Sequence, residues 1–117
     1  MRTRIVAVAV VMLALTACTP RGGGDARDDR EPDAVGTVIS VDDATGVIAV
    51  GFAPDPGYEY FEGTTFEFAE QGAIERPDGE AAVASDLDVG TRLEVWVEAC
   101  AESFPVQCAD PLARILE

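Results

Sequence analysis

The chain has no histidine and no lysine, and all eight of its basic residues are arginine. Histidine titrates near neutrality, and histidine or lysine is the usual base that activates a serine or cysteine nucleophile. Without them the common acyl-transfer constellations are missing, and zinc loses its nitrogen ligands. Tryptophan occurs once and tyrosine twice. No stretch repeats apolar residues at helical spacing over three turns, so a helix-built fold is not expected. Long hydrophobic runs are also lacking. The longest spans residues 5–17, broken only by Thr16; as a helix it would rise about 20 Å, against a hydrocarbon core of about 30 Å.

That short run follows Arg2 and Arg4, the flanks of an export signal that is cleaved rather than left as a membrane span. Leu15-Thr16-Ala17-Cys18 resembles a bacterial lipobox, in which the cysteine thiol receives a diacylglyceryl group and becomes the new N-terminus. An ordinary secretory site needs a small residue where Leu15 stands. The expectation is a signal at 1–17, a lipid anchor on Cys18, and a location on the extracytoplasmic side of a membrane in the cell envelope. Two or more acyl chains suffice for stable attachment.

Removing residues 1–17 takes two arginines and none of the 22 acids, which leaves a net charge of −16. Such a charge repels phosphate backbones and anionic headgroups, so nucleic acid is excluded as a partner and acyl chains must hold the protein to its membrane. Lipidation of Cys18 also settles the odd cysteine count. Cys100 and Cys108 remain as a pair in a compartment where pairs oxidise. Their spacing is neither that of a redox CxxC motif nor half of a zinc site; a disulfide closing this loop contributes about 2.5 kcal/mol on the loop-entropy model. A labile disulfide and a metal site are the alternatives; no metal and no cofactor is expected.

Residues 18–33 are rich in glycine, proline and charge, with no periodic apolar residues, and read as a flexible tether. The remaining stretch, 34–117, is one small domain. Its apolar residues recur with period 2, the signature of strands. Val35, Thr37, Ile39 and Val41 form one face of a first strand, and Ile48, Val50 and Phe52 the matching face of a second, with Asp42 to Gly46 as the turn. Phe66 and Phe68 mark a third strand. Pro77-Asp78-Gly79 centres a small ribbon or loose connection, Leu93, Val95 and Val97 line a later strand, and residues 112–116 form the last. Short strands in so small a domain must curl together or expose their edges, so the expected fold is all-β: a small OB-like antiparallel barrel of five to six strands, with a twisted open sheet as the alternative.

The C-terminal pattern carries a resemblance. Leu93-Glu94-Val95-Trp96-Val97-Glu98, then Glu102-Ser103-Phe104-Pro105, then a closing strand resembles the YobA-like family of small bacterial lipoproteins, which carries a domain of unknown function. Ser85 to Gly90 and the opening hairpin are similar too. The resemblance implies an OB-like barrel on a lipid anchor and no assigned activity. Phe104 stands where that family commonly has tyrosine, so no role for a tyrosine hydroxyl carries over.

Among candidate sites, Ser103 beside Glu102 lacks an activating base. Both are expected to bond local backbone, with Phe104 packed down and Pro105 setting the turn. The acids Asp42, Asp43, Asp55, Glu59, Glu62, Asp86 and Asp88 form no calcium-loop pattern and read as surface charge. The aromatics are the best candidates for ligand or partner contact: Tyr58, Tyr60 and Phe61 in a Pro/Gly-rich loop, with Trp96 on the strand face opposite Leu93 and Val95; the alternative is a structural role, with the 53–63 loop folded over Trp96. The expected function is a binding or accessory module for a protein or glycan of the envelope. A purely structural envelope lipoprotein is the alternative, and an enzyme is not expected.

Overall fold

Strong alternation at Ile48, Val50 and Phe52 produces the expected hairpin: β1 (Ala34–Ala44) pairs antiparallel with β2 (Val47–Pro54) around Gly46, whose φ of +76° suits glycine. The computed structural model describes residues 26–117; the expected signal at 1–17, Cys18 and the tether up to residue 25 lie outside the described residues. Ile48, Val50 and Phe52 are all buried, as expected. In β1 the expected face is reversed. Ala34, Gly36 and Val38 point into the core, while Ile39 is 55% exposed. The ladder slips between Val38 and Ser40, a bulge at Ile39 that shifts the side-chain phase by one residue and returns Val41 to the core side. Gly36 faces inward because Phe52 fills the space beside it: a Cβ there would lie 2.7 Å from the Phe52 ring.

Next come β3 (Thr65–Ala69), with Phe66 and Phe68 buried, and the two-residue β4 (Ile74–Glu75). After β4 the chain turns at Pro77-Asp78-Gly79 and returns through a bridge between Glu75 and Ala81, so this connection is a small ribbon. Then follow β5 (Arg92–Trp96), a short hairpin of β6 (Ala99–Ala101) and β7 (Gln107–Ala109), and finally β8 (Leu112–Ile115). The main sheet runs β3-β2-β1-β5-β8-β4, antiparallel except for the β4–β8 pair. It surrounds one core that takes side chains from all six strands, including Val38, Phe52, Phe66, Ile74, Leu93 and Ala113.

The fold is therefore all-β, but no ladder closes the expected barrel. Its two edge strands, β3 and β4, are consecutive in the chain and joined by residues 70–73, so a covalent bend takes the place of the last ladder. At that bend Arg27 adds hydrogen bonds to carbonyl groups of both sides, including that of Ala73, which also accepts from the Ala113 N–H.

Here the expected tether boundary moves. Residues 26–33 belong to the domain, starting with the single-turn helix α1 (Ala26–Asp29). The buried Arg27 guanidinium donates to the carbonyls of Ala73 and Ala113 at 3.1 Å and of Gly72 at 3.2 Å, with Glu75 at 3.6 Å. Arg30 pairs with Asp33 and donates to the Val97 carbonyl, while Asp33 accepts from the Val97 N–H. Polar composition alone marks such a segment as unable to build a core, yet its charged groups dock on backbone groups at the β3–β4 bend and just beyond β5.

Candidate functional site

The Pro/Gly-rich loop after β2 turns through a single 3-10 turn, Glu59–Phe61. Its entry is set by the Glu59 carboxylate, which accepts from the Gly57 N–H and is thereby held below the usual glutamate pKa. The turn sends alternate aromatics to opposite sides. Phe61 is buried against Phe66, Tyr58 is half-buried, and Tyr60 is 49% exposed.

The β6–β7 hairpin stands next to this loop. Cys100 and Cys108 are directly opposite and form the expected disulfide, with an S–S length of 2.01 Å. Above it the tip is anchored on one side by Val106, which is buried and accepts from the Thr64 hydroxyl at 3.1 Å. The Ser103 hydroxyl donates to the Pro105 carbonyl, as the local-backbone reading expects, and the Phe104–Pro105 peptide is cis. Glu102 instead reaches across: its carboxylate accepts from the Tyr60 hydroxyl at 3.0 Å. That bond raises the Tyr60 pKa above the ordinary tyrosine value, because the carboxylate favours the protonated phenol.

Phe104 is the major departure from expectation. Instead of packing down it is 92% exposed, the most exposed large apolar side chain among the described residues. The tip's inward position is already taken by Val106, so the turn points Phe104 outward. Trp96 follows the structural alternative, under a different cover. It is 2% exposed beneath residues 26–33 rather than the 53–63 loop, its indole N–H donates to the Arg30 carbonyl, and Arg114 lies 5.5 Å above its ring. Trp96 and Phe61 are therefore structural and leave the candidate site. What the fold brings together is Tyr60 and Glu102, with Phe104 and Pro105 on the same hairpin tip as Glu102. The signal for Phe104 was present in the sequence, since a Phe-Pro pair at the tip of a cysteine-closed loop has little buried surface within reach.

The acids read as surface charge are only partly free. Asp55 makes a two-pronged pair with Arg92, at 2.6 and 2.8 Å, and Asp86 pairs with Arg76 at 3.2 Å while accepting from the Val83 N–H. Among the described residues no three Asp, Glu or Cys side chains gather as a metal site. No family model matches this chain, and neither a curated protein nor a solved structure was found to be similar to it.

Proposed function

We propose that this protein is a lipid-anchored, extracytoplasmic binding module that recognises a protein component of the envelope through Phe104 and Tyr60. The observation that carries this reading is the 92% exposure of Phe104 on a tip closed by a disulfide. An aromatic side chain supplies large contact area, and a backbone already fixed by the cross-link and by the Tyr60–Glu102 bond has less freedom to lose on association. The neighbouring carboxylate of Glu102 and the chain's net charge of −14 favour a partner with an apolar pocket rimmed by basic residues.

The lipobox-like Leu15 to Cys18 supports the membrane part, as does the YobA-like resemblance. With the domain starting at Ala26, the eight-residue step from Cys18 spans roughly 27 Å at most. A photoreactive amino acid at position 104 in intact cells tests the reading. A discrete adduct that disappears with competing Phe104-bearing protein is expected. Repeated absence of any discrete adduct would overturn it in favour of a purely structural lipoprotein. The anchor is tested separately by intact mass of membrane-extracted protein, which should show loss of residues 1–17 and added acyl mass. An unmodified Cys18 would end that part of the proposal.

A further inference from the structure

A cavity independent of Phe104 lies where the core ends, beside the turn of the first hairpin. Asp43 is opposite Ile48 in the β1–β2 ladder, and Ile48 is opposite Phe68 in the β2–β3 ladder. Directly opposite residues share a face of the sheet. Ile48 and Phe68 are both buried in the core, so Asp43 stands on the core side of β1. Glu70 comes two residues after Phe68, and its N–H donates to the Gly46 carbonyl, which extends the ladder past the end of β3. At this end of the sheet the core is thus bordered by two acids.

Asp43 and Glu70 line one open cavity of about 630 Å³, together with the segment Ala81 to Ala84. That segment makes an apolar wall. Ala82 is a core residue whose N–H donates to the Ile74 carbonyl, while Val83 is 51% exposed. Among the described residues neither carboxylate has a hydrogen-bond or ion-pair partner. Neighbouring arginines are engaged elsewhere and do not line the cavity: Arg27 meets the Gly72, Ala73 and Ala113 carbonyls and Glu75, and Arg76 pairs with Asp86 at 3.2 Å.

We infer that this cavity binds a small, linear alkyl diammonium ion. Its volume is that of a small-molecule site, and it combines an apolar wall with a few placed polar groups. Charge sets the two ends of the ligand. Asp43 is on β1 and Glu70 follows β3, strands that lie about 10 Å apart across β2, so the acids receive one ammonium each instead of sharing one. Between them the alanine methyl groups and Val83 cover the methylene chain, which removes apolar surface from water on both sides. A magnesium ion gives up its water reluctantly and gains nothing from that wall.

The test titrates the ¹⁵N-labelled full chain with diaminopentane, an ammonium at each end, with pentylamine and magnesium chloride as controls. Amide signals of Asp43, Glu70, Ala82 and Val83 should shift saturably, and that of Phe104 should stay in place. Asp43→Asn and Glu70→Gln should each weaken binding about fivefold, the scale of one exposed ion pair, and pentylamine should bind about fivefold more weakly for the same reason. Asp88→Asn, outside the cavity, should leave the affinity unchanged. No saturable shift, equal shifts with magnesium, or an affinity that neither cavity substitution alters would each overturn the inference. A failure here leaves the Phe104 reading standing, since the two experiments report on different residues.

Discussion

The Trp96 indole N–H donates to the Arg30 carbonyl at 2.8 Å, across 66 residues of sequence, and so ties the centre of the sheet to the segment that precedes it. This bond makes the N-terminal segment part of the domain. The Arg27 bonds to Gly72, Ala73 and Ala113 complete the attachment at the seam between the two edge strands. Docking of residues 26–33 is thus coupled to the burial of Trp96.

Arg27→Ala should therefore do more than remove a surface charge. It removes the guanidinium's hydrogen bonds to the Gly72, Ala73 and Ala113 carbonyls, at a cost of about 3 kcal/mol in total. Urea unfolding followed by Trp96 fluorescence should show the lower midpoint, and acrylamide should quench the variant's native-state emission more strongly. A native-state quenching constant equal to that of the parent would show that the segment holds without Arg27.

The bulge in β1 sets a paired comparison. Val38 is fully buried and Ile39 is 55% exposed, although the larger residue is the more obvious core candidate. Val38→Ala should lower stability by about 2 kcal/mol. Ile39→Ala should stay within about 0.5 kcal/mol of the parent. The reverse ranking in urea midpoints would show that the bulge is absent in solution.

Replacing both Cys100 and Cys108 with serine should reduce stability by about 2.5 kcal/mol, the loop-closure value for a cross-link of this span. The same double variant should reduce crosslinking yield from position 104, because the tip loses its covalent cross-link and keeps only hydrogen bonds such as Tyr60–Glu102. Stability that falls with no change in crosslinking would separate the staple from any role in presenting Phe104.

Acid should weaken the Asp55–Arg92 pair. The Arg92 guanidinium, mainly through its hydrogen bond, holds the Asp55 carboxyl below the ordinary aspartate value of about 3.9. The folded state then binds fewer protons than the unfolded chain in the window between those two pKa values. The pair's contribution is complete above the unfolded value and disappears as pH falls through the folded one. Acidification also relieves repulsion within a chain of net charge −14, so the informative quantity is the difference between parent and Asp55→Asn. That difference in urea midpoint should be present at pH 7 and shrink below pH about 4. Tyr60 behaves oppositely. Glu102 raises its pKa, so its contribution is complete below the ordinary tyrosine value of about 10 and is lost as pH rises through the higher folded value.

Local pattern by itself determined much of this protein. Period-2 alternation placed Ile48, Val50, Phe52, Phe66, Phe68, Leu93 and Val95 in the core of an all-β domain, because strand geometry sends alternate side chains to one face. Cysteine arithmetic paired Cys100 with Cys108. Only the tertiary structure decided which aromatics are available to a partner. Trp96 is covered by a segment whose polar composition hides its docking, and Phe104 is turned out because Val106 already occupies the inward position of the tip. The phase slip at Ile39 and the Arg27 bonds at the seam were likewise set by distant parts of the chain: Phe52 fills the space opposite Gly36, and Ala113 lies 86 residues from Arg27. Periodicity reports the face a residue presents along its own strand; what covers that face comes from elsewhere in the chain.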